Sequence, residues 1–248
     1  MELKELQDKH KGRTAFVVGA GPSLHFQDVE PLKNHITLAV NSGVLKVPFC
    51  DYFVSDDEGV AVWNYYMDDL PKLKCQCLLY EDKLKKFASH IPEERIIFFK
   101  HKIWYDIHKK KKYPEGVEMT KDAEKPIIGA RTSVGTAIHF AYIMGCDPIV
   151  LLGSDCCYTD MKRYFWQFNG EKKVVKASNG RVFLPPLQVG KMNNRMLDNH
   201  CYDFIEYFHD LAFCEKNKNI HIIDASGGIL NCFEKMDFET VLGKYGDR

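Results

Sequence analysis

The residues of this 248-residue chain best suited to chemistry are short glycine-rich and polar groups, each following an apolar run. Gly19-Ala20-Gly21-Pro22-Ser23 comes directly after Ala15-Phe16-Val17-Val18. Glycine lets a ligand approach the backbone closely, and free amides at a helix start point at phosphate or ribose oxygens. Pro22 suits a first helical turn, where an amide hydrogen would go unpaired anyway. The third glycine of the dinucleotide fingerprint is absent, with Leu24 in its place, so a plain tight turn is the alternative reading. Asn41-Ser42, Ser55-Asp56-Asp57 and Gly153-Ser154-Asp155 also follow apolar runs. Asn41 can hydrogen-bond a base or sugar, while Asp56, Asp57 and Asp155 can hold a hard cation or accept a proton. Taken singly, each is as readily a helix N-cap or turn residue.

Arg131-Thr132-Ser133 opens a helical pattern and offers a guanidinium, two hydroxyls and free amides to a phosphate or carboxylate. Its plainer alternative is an N-cap beside a solvent-facing arginine. Late in the chain, Asp224-Ala225-Ser226-Gly227-Gly228 is another close-approach turn, able to wrap a base or ribose or simply to reverse the chain. His139, His200 and His209 lie in helical patterns, where a histidine is more often packed or solvated than a base. Tyr158 and Tyr164 can donate hydroxyls to a phosphate, although packing alone explains aromatic residues in a lid.

Positioning these groups requires strands that end at one edge. Candidate strands run from Thr14 to Val18, Ile36 to Val40, Tyr52 to Ser55, Gln76 to Tyr80, Arg95 to Phe99, Pro148 to Leu152 and Ile220 to Ile223. Near-continuous apolar runs of this kind are covered on both faces. Their alternation with helical patterns predicts an α/β, Rossmann-like, mostly parallel sheet with helices on both faces. Open sheets of this kind bind ligands beyond the carboxyl ends of their strands, where the polar groups fall. One helix is expected from Thr132 to Met144, with Thr132 as N-cap and Gly145 as its stop. A second, from Asn193 to Cys214, places Leu197, Cys201, Phe204, Ile205, Phe208 and Leu211 on one stripe.

The expected organisation is one domain over 1–248 with insertions at 100–130 and 158–188. The first insertion, lysine-rich from Lys109 to Lys112, reads as a loop or mobile flap. The second, with tight-turn signals at Asn169-Gly170 and Asn179-Gly180, reads as a hairpin lid. A content of 45% apolar and 27% charged residues suffices for one sizeable core. Lys plus Arg and Asp plus Glu both total 34, so no overall field draws the chain to nucleic acid or an anionic membrane. No apolar run approaches the roughly 20 residues of a membrane-spanning helix, and the charged start lacks a signal-peptide core; a cytoplasmic setting is expected. Nine scattered cysteines read as reduced, buried thiols rather than as a disulfide framework or zinc knuckle.

The set Gly19-Ala20-Gly21-Pro22-Ser23-Leu24, Ser55-Asp56 and Ser133-Val134-Gly135, continuing through Gly145-Cys146-Asp147-Pro148 to Leu152-Gly153-Ser154-Asp155, resembles the motility-accessory-factor (Maf) central domain. It resembles equally that domain's relative, 6-hydroxymethylpterin diphosphokinase. The likeness covers most of residues 12–160, and Leu152-Gly153-Ser154-Asp155 with Tyr158-Thr159-Asp160 is its most specific part. A more distant similarity is to bacterial lipooligosaccharide sialyltransferases, which use CMP-activated sialic acid without a metal. That similarity implies that Gly21, Pro22, Ser23, Asn41, Thr132, Ser133 and Asp155 line a nucleotide pocket. It also implies the turn Ser226-Gly227-Gly228 near the base and Tyr158 or Tyr164 near the phosphate. The chain departs from it where the sialyltransferase catalytic histidine precedes the late helix: here stand Gly190-Lys191-Met192-Asn193, leaving His200 as the substitute.

These expectations converge on a nucleotide-binding transferase, first a glycosyltransferase-like enzyme using a nucleotide-activated sugar such as a CMP-sugar, with a glycan, protein or small-molecule acceptor. Asp155 or His200 would be its base; Gly19, Gly21, Pro22, Ser23, Asn41, Thr132, Ser133, Tyr158, Tyr164, Ser226, Gly227 and Gly228 would hold the nucleotide. The alternative is a pyrophosphokinase that uses ATP, with Mg²⁺ held by Asp56 and Asp57. A catalytically silent nucleotide-binding module is the third reading.

Overall fold

A computed structural model describes residues 2–103, 105–106, 111–112, 117–129, 132–169, 190–192 and 194–246. Eight strands form its main sheet: β1 (Ala15–Val18), β2 (Ile36–Val40), β3 (Tyr52–Ser55), β4 (Gln76–Tyr80), β5 (Ile96–Phe99), β6 (Ile149–Leu152), β7 (Ile222–Asp224) and β8 (Glu234–Lys235). All seven strands expected from the sequence are present, three with the expected ends and four with ends moved by one or two residues. The two-residue edge strand β8 has exposed side chains, and its shortness hides it from periodicity.

The spatial order is β8-β7-β6-β1-β2-β3-β4-β5, and every pairing is parallel. The chain therefore builds outward from β1 to β5, returns to the other side of β1 to place β6, and builds outward again. Such a reversal leaves a crevice beyond the carboxyl ends of the strands it separates, here β1 and β6.

Alternating residues of the strands feed two cores. Ala15, Val17, Leu38, Val54 and Leu151 pack against helices α1 (Ser133–Ile143) and α2 (Asn199–Phe213). Phe16, Val18, Phe53, Leu79 and Val150 pack on the other face against short 3₁₀ turns and helix α3 (Phe238–Tyr245). The chain thus covers this second face largely with tight turns such as Pro22–Phe26 and Asn41–Leu45. Those turns keep the connections between β1 and β3 short.

Helix α1 starts where expected: Thr132 Oγ1 accepts the Val134 amide at 3.2 Å, and Gly145 leaves the helix at φ +76°. Helix α2 starts six residues later than the sequence suggests. Gly190–Met192 and Arg195–Leu197 pair as antiparallel strands, with Asn194 at φ +62° in the turn between them. Asp198 is the true N-cap, accepting the Cys201 amide at 2.9 Å. The stripe from Cys201 to Leu211 was legible, but Leu197 belongs to the hairpin. Among the described residues no helix is long and apolar enough to cross a membrane.

The lysine-rich segment also differs from a mobile flap over its described part. His101–Ile103 pairs with Ile127–Gly129, and Val117, Met119, Ala123, Ile127 and Ile128 join the core beneath α1. Buried His139 of α1 fastens this segment. Its Nδ1 accepts the Ile128 amide at 3.0 Å, so the ring proton lies on Nε2, which donates to the Thr120 carbonyl at 2.9 Å. Burial pushes this imidazole down to about 4, with the Thr120 bond opposing the shift.

Because the folded pKa is depressed, neutral His139 contributes stability above about pH 6.5, and that contribution fades as pH falls toward 4. His139→Leu should cost about 1–3 kcal/mol at pH 7.5 in urea unfolding, because the Ile128 amide is left buried without an acceptor. The variant should also lose less stability than the parent between pH 6.5 and 4.

Candidate functional site

A cavity of about 630 Å³ opens at the carboxyl ends of β1, β2, β3 and β6. The glycine turn after β1 forms its floor, sealed by close backbone contact. The Gly19 amide donates to the Leu152 carbonyl, and the Gly21 amide donates to the Gly153 carbonyl, each at 2.8 Å. A methyl group on Gly21 would collide with Asp155 Oδ2 and stand 2.7 Å from the Gly153 oxygen. Gly153 itself has φ +59°, the left-handed region that favours glycine.

Asp155 is only 3% exposed and sits under this turn. Its carboxylate accepts the Ser23 hydroxyl at 2.9 Å and the Ser23 amide at 3.2 Å. Burial raises its pKa, the nearby Asp224 adds to the rise, and the Ser23 bonds oppose it; the group is pushed up to about 7. A carboxyl that titrates near neutrality is suited to proton transfer.

On the opposite wall, Asp56 at the end of β3 accepts the hydroxyls of Ser133 and, at 2.7 Å, Thr136, which lock it to the first turn of α1. His101 Nε2 lies 3.6 Å from Asp56, with its ring stacked on Tyr80 at 4.3 Å. Burial holds this imidazole below its usual range despite the Asp56 charge. Asp57 is exposed and accepts the Gly59 amide at 2.8 Å. Between the walls, Asn41 is held at φ +49° and donates to Ser133 Oγ at 3.4 Å. Two buried acceptors, Asn41 Oδ1 and Ser154 Oγ, have no hydrogen-bond partner among the described residues. Buried polar atoms of this kind call for a ligand or water.

The fourth wall is the segment after β6. The Phe165 amide donates to the Ala20 carbonyl at 3.1 Å, and Trp166 Nε1 donates to Ser42 Oγ at 3.2 Å. Tyr164 stacks flat on Trp166 and lines the cavity beside Arg163.

The structure thus gathers most of the residues singled out from sequence. Gly19, Gly21, Pro22 and Asn41 line the cavity with Asp56 and Asp57, as do Thr132, Ser133, Asp155, Tyr164 and His200. Ser23 stands directly behind, bonded to Asp155. His200 is exposed in the first turn of α2. Tyr158 is not brought to the cavity: it is 5% exposed, and its hydroxyl donates to Asp198 Oδ2 at 2.8 Å. Ser226, Gly227 and Gly228 also lie outside the lining. Ser226 Oγ accepts the Ser154 amide at 2.9 Å, and Gly228 packs on the Asp155 backbone, so this turn buttresses the strand end. Arg131, Asn179 and Gly180 lie outside the described residues, as do Gly170 and Asn193.

Sequence reasoning missed Arg163 and Asp198, which carry no motif. It also missed His101, although the position just past β5 places a polar residue at the same sheet edge. Among the described residues no group of three or more His, Cys, Asp or Glu side chains is arranged to hold a metal ion.

These features define a Rossmann-like α/β fold with its cavity at the topological switch point. The chain belongs to the 6-hydroxymethylpterin diphosphokinase MptE-like family, whose model matches residues 1–161. No curated protein matches it. Among solved structures it is similar to a Maf glycosyltransferase from Magnetospirillum magneticum AMB-1, with 9% identity and a TM-score of 0.55 over 93% of this chain. The match spans 34% of that protein's chain, and at this identity the likeness is one of fold.

With its folded pKa raised from about 3.8 to about 7, Asp155 carries a proton in the folded state that the unfolded chain lacks, so its contribution to stability falls as pH rises through that window. Asp155→Asn does not titrate. Its stability relative to the parent should therefore improve from pH 5 to pH 8 in urea unfolding. Gly21→Ala should be destabilised at both pH values, because the added methyl meets Asp155 and the Gly153 carbonyl.

Proposed function

We propose that this chain is a nucleotide-dependent transferase that passes a sugar from a nucleotide-activated donor to a hydroxyl acceptor. The observation that carries this reading is the convergence of the glycine turn, Asn41, the α1 N-terminus and Asp155 on one cavity of nucleotide size. Donor phosphate oxygens would take the Ser133 amide at the α1 N-terminus and the hydroxyl of Thr132, since the Ser133 hydroxyl is given to Asp56 and the Val134 amide to Thr132. Asn41, on the cavity lining after β2, would face the ribose or base. In the transfer step the bond from the donor's anomeric carbon to the phosphate oxygen breaks and the acceptor oxygen takes its place. The acceptor proton passes to ionised Asp155, and the leaving phosphate keeps the electron pair beside the α1 N-terminus. The fold shared with a glycosyltransferase supports this chemistry. His200, exposed at the rim, is the second candidate for the proton acceptor. Nine free thiols suit a reducing, cytoplasmic setting.

The family match favours a second reading, diphosphoryl transfer from ATP. A Mg²⁺ ion would supply charge neutralisation to the phosphates in that chemistry. Asp56 is committed to Ser133 and Thr136, so the chain would contribute the exposed Asp57 carboxylate, with the nucleotide's own oxygens and water completing the shell.

Thermal-shift titration against CMP, CMP-sugars, UDP-sugars, ATP and GTP, with and without Mg²⁺, separates the two. A ligand at a hundred times its Kd adds about 2.7 kcal/mol, or roughly 5–10 °C in Tm for a chain of this size. A shift with a nucleotide sugar in EDTA supports glycosyl transfer. A shift with ATP that needs Mg²⁺ supports the diphosphokinase, and no shift with any nucleotide sinks both.

A further inference from the structure

The proposed ligand is anionic, yet the cavity wall carries the carboxylates of Asp56, Asp57 and Asp155. Among its described lining residues Arg163 is the one lysine or arginine. No feature of the sequence marks this residue, which lies in an aromatic, turn-rich stretch. Its position in space is nonetheless tightly specified. Two residues on, the Phe165 amide is bonded to Ala20 of the glycine turn, so the backbone that carries Arg163 is fixed directly to the cavity floor. The Arg163 and Tyr164 amides both donate to Gln167 Oε1, at 2.7 and 2.9 Å, which holds the turn itself.

The guanidinium is held from one side. Arg163 Nη1 donates to Asp198 Oδ2 at 3.1 Å, and the group rests 5.5 Å from the Tyr164 ring centroid. Burial alone would raise the Asp198 carboxyl, but the Cys201 amide, the Tyr158 hydroxyl and Arg163 hold it below the usual aspartate range. Asp198 therefore stays ionised and anchors the arginine at neutral pH. Neither Nε nor Nη2 of Arg163 donates to a described residue, although the side chain is only 28% exposed. A half-buried guanidinium with one edge anchored and the other open to a cavity has the fork geometry that receives two oxygens of a phosphate.

We infer that Arg163 is the phosphate clamp of this site, positioned by Asp198 and Tyr158, and that it receives a phosphate group of a nucleoside mono- or diphosphate. Tyr158 then acts on the phosphate through Asp198 and Arg163 rather than by direct contact. The inference rests on the nucleotide reading above and holds for either transferred group, because both donors present phosphate oxygens to the same wall.

The test is isothermal titration of the full chain in EDTA with cytidine, CMP and CDP and with adenosine, AMP and ADP. In the parent chain, affinity should rise from nucleoside to monophosphate in at least one series. Arg163→Gln should lose about tenfold or more of that phosphate-dependent gain, while nucleoside affinity stays within about twofold. Arg163→Lys, which keeps the charge but not the fork, should fall between them. Unchanged nucleoside affinity shows that the variants keep their fold and pocket. A phosphate gain undiminished in Arg163→Gln overturns the clamp and leaves the nucleotide reading intact. Absence of binding by any nucleoside or nucleotide to the parent chain, in EDTA and again with Mg²⁺, overturns both.

Discussion

The site depends on one close approach, that of the glycine turn after β1 to the end of β6. The Gly21 amide bonds to the Gly153 carbonyl, and no side chain fits between that turn and the carboxylate of Asp155. From this contact follow the burial of Asp155, its rise toward neutrality and the placement of Ser23 as its partner. The same contact leaves the upper side of the turn open to a ligand. Residues that enlarge the turn would therefore alter acid chemistry and ligand access together, because one packing constraint sets both.

The second organising interaction is Asp56 with Ser133 and Thr136. It ties the end of β3 to the first turn of α1, and so holds that wall of the cavity together. A carboxylate that looks from the sequence like a cation ligand is here a structural acceptor. The reason is local: α1 presents hydroxyls at its first and fourth positions, and both face the strand end. The donors that claim Asp56 come from far along the chain, Ser133 lying 77 residues away, and so are invisible in its local sequence.

Strands covered on both faces are legible because burial leaves a continuous apolar run, and the carboxyl ends of those runs name the rim. That is why Gly21, Asn41, Asp56, Ser133 and Asp155 were recognisable as a group. Roles decided by long-range partners were not. Tyr158 reads as a phosphate ligand until Asp198 takes its hydroxyl, and Asp198 reads as mid-helix until the hairpin before it sets the true start of α2. His139 shows the same limit in the core. Its helical position is plain, but the neutral tautomer that fastens residues 120 and 128 depends on backbone groups outside that helix.

Charge balance links these observations. With Asp155 near its titration point at neutral pH, the wall is less negative than its three carboxylates suggest. Arg163, held by an ionised Asp198, supplies positive charge on the side where the segment after β6 meets the glycine turn. An anionic donor would then lie between amides and a guanidinium, with the titratable carboxyl at the floor. Under the proposed function this polarity would set a donor end apart from an acceptor end, with phosphate toward Arg163 and α1 and the reacting hydroxyl toward Asp155. The chemical difference between the two transfer chemistries lies in the atom attacked, carbon or phosphorus, and in whether Asp57 shares a cation with the phosphates.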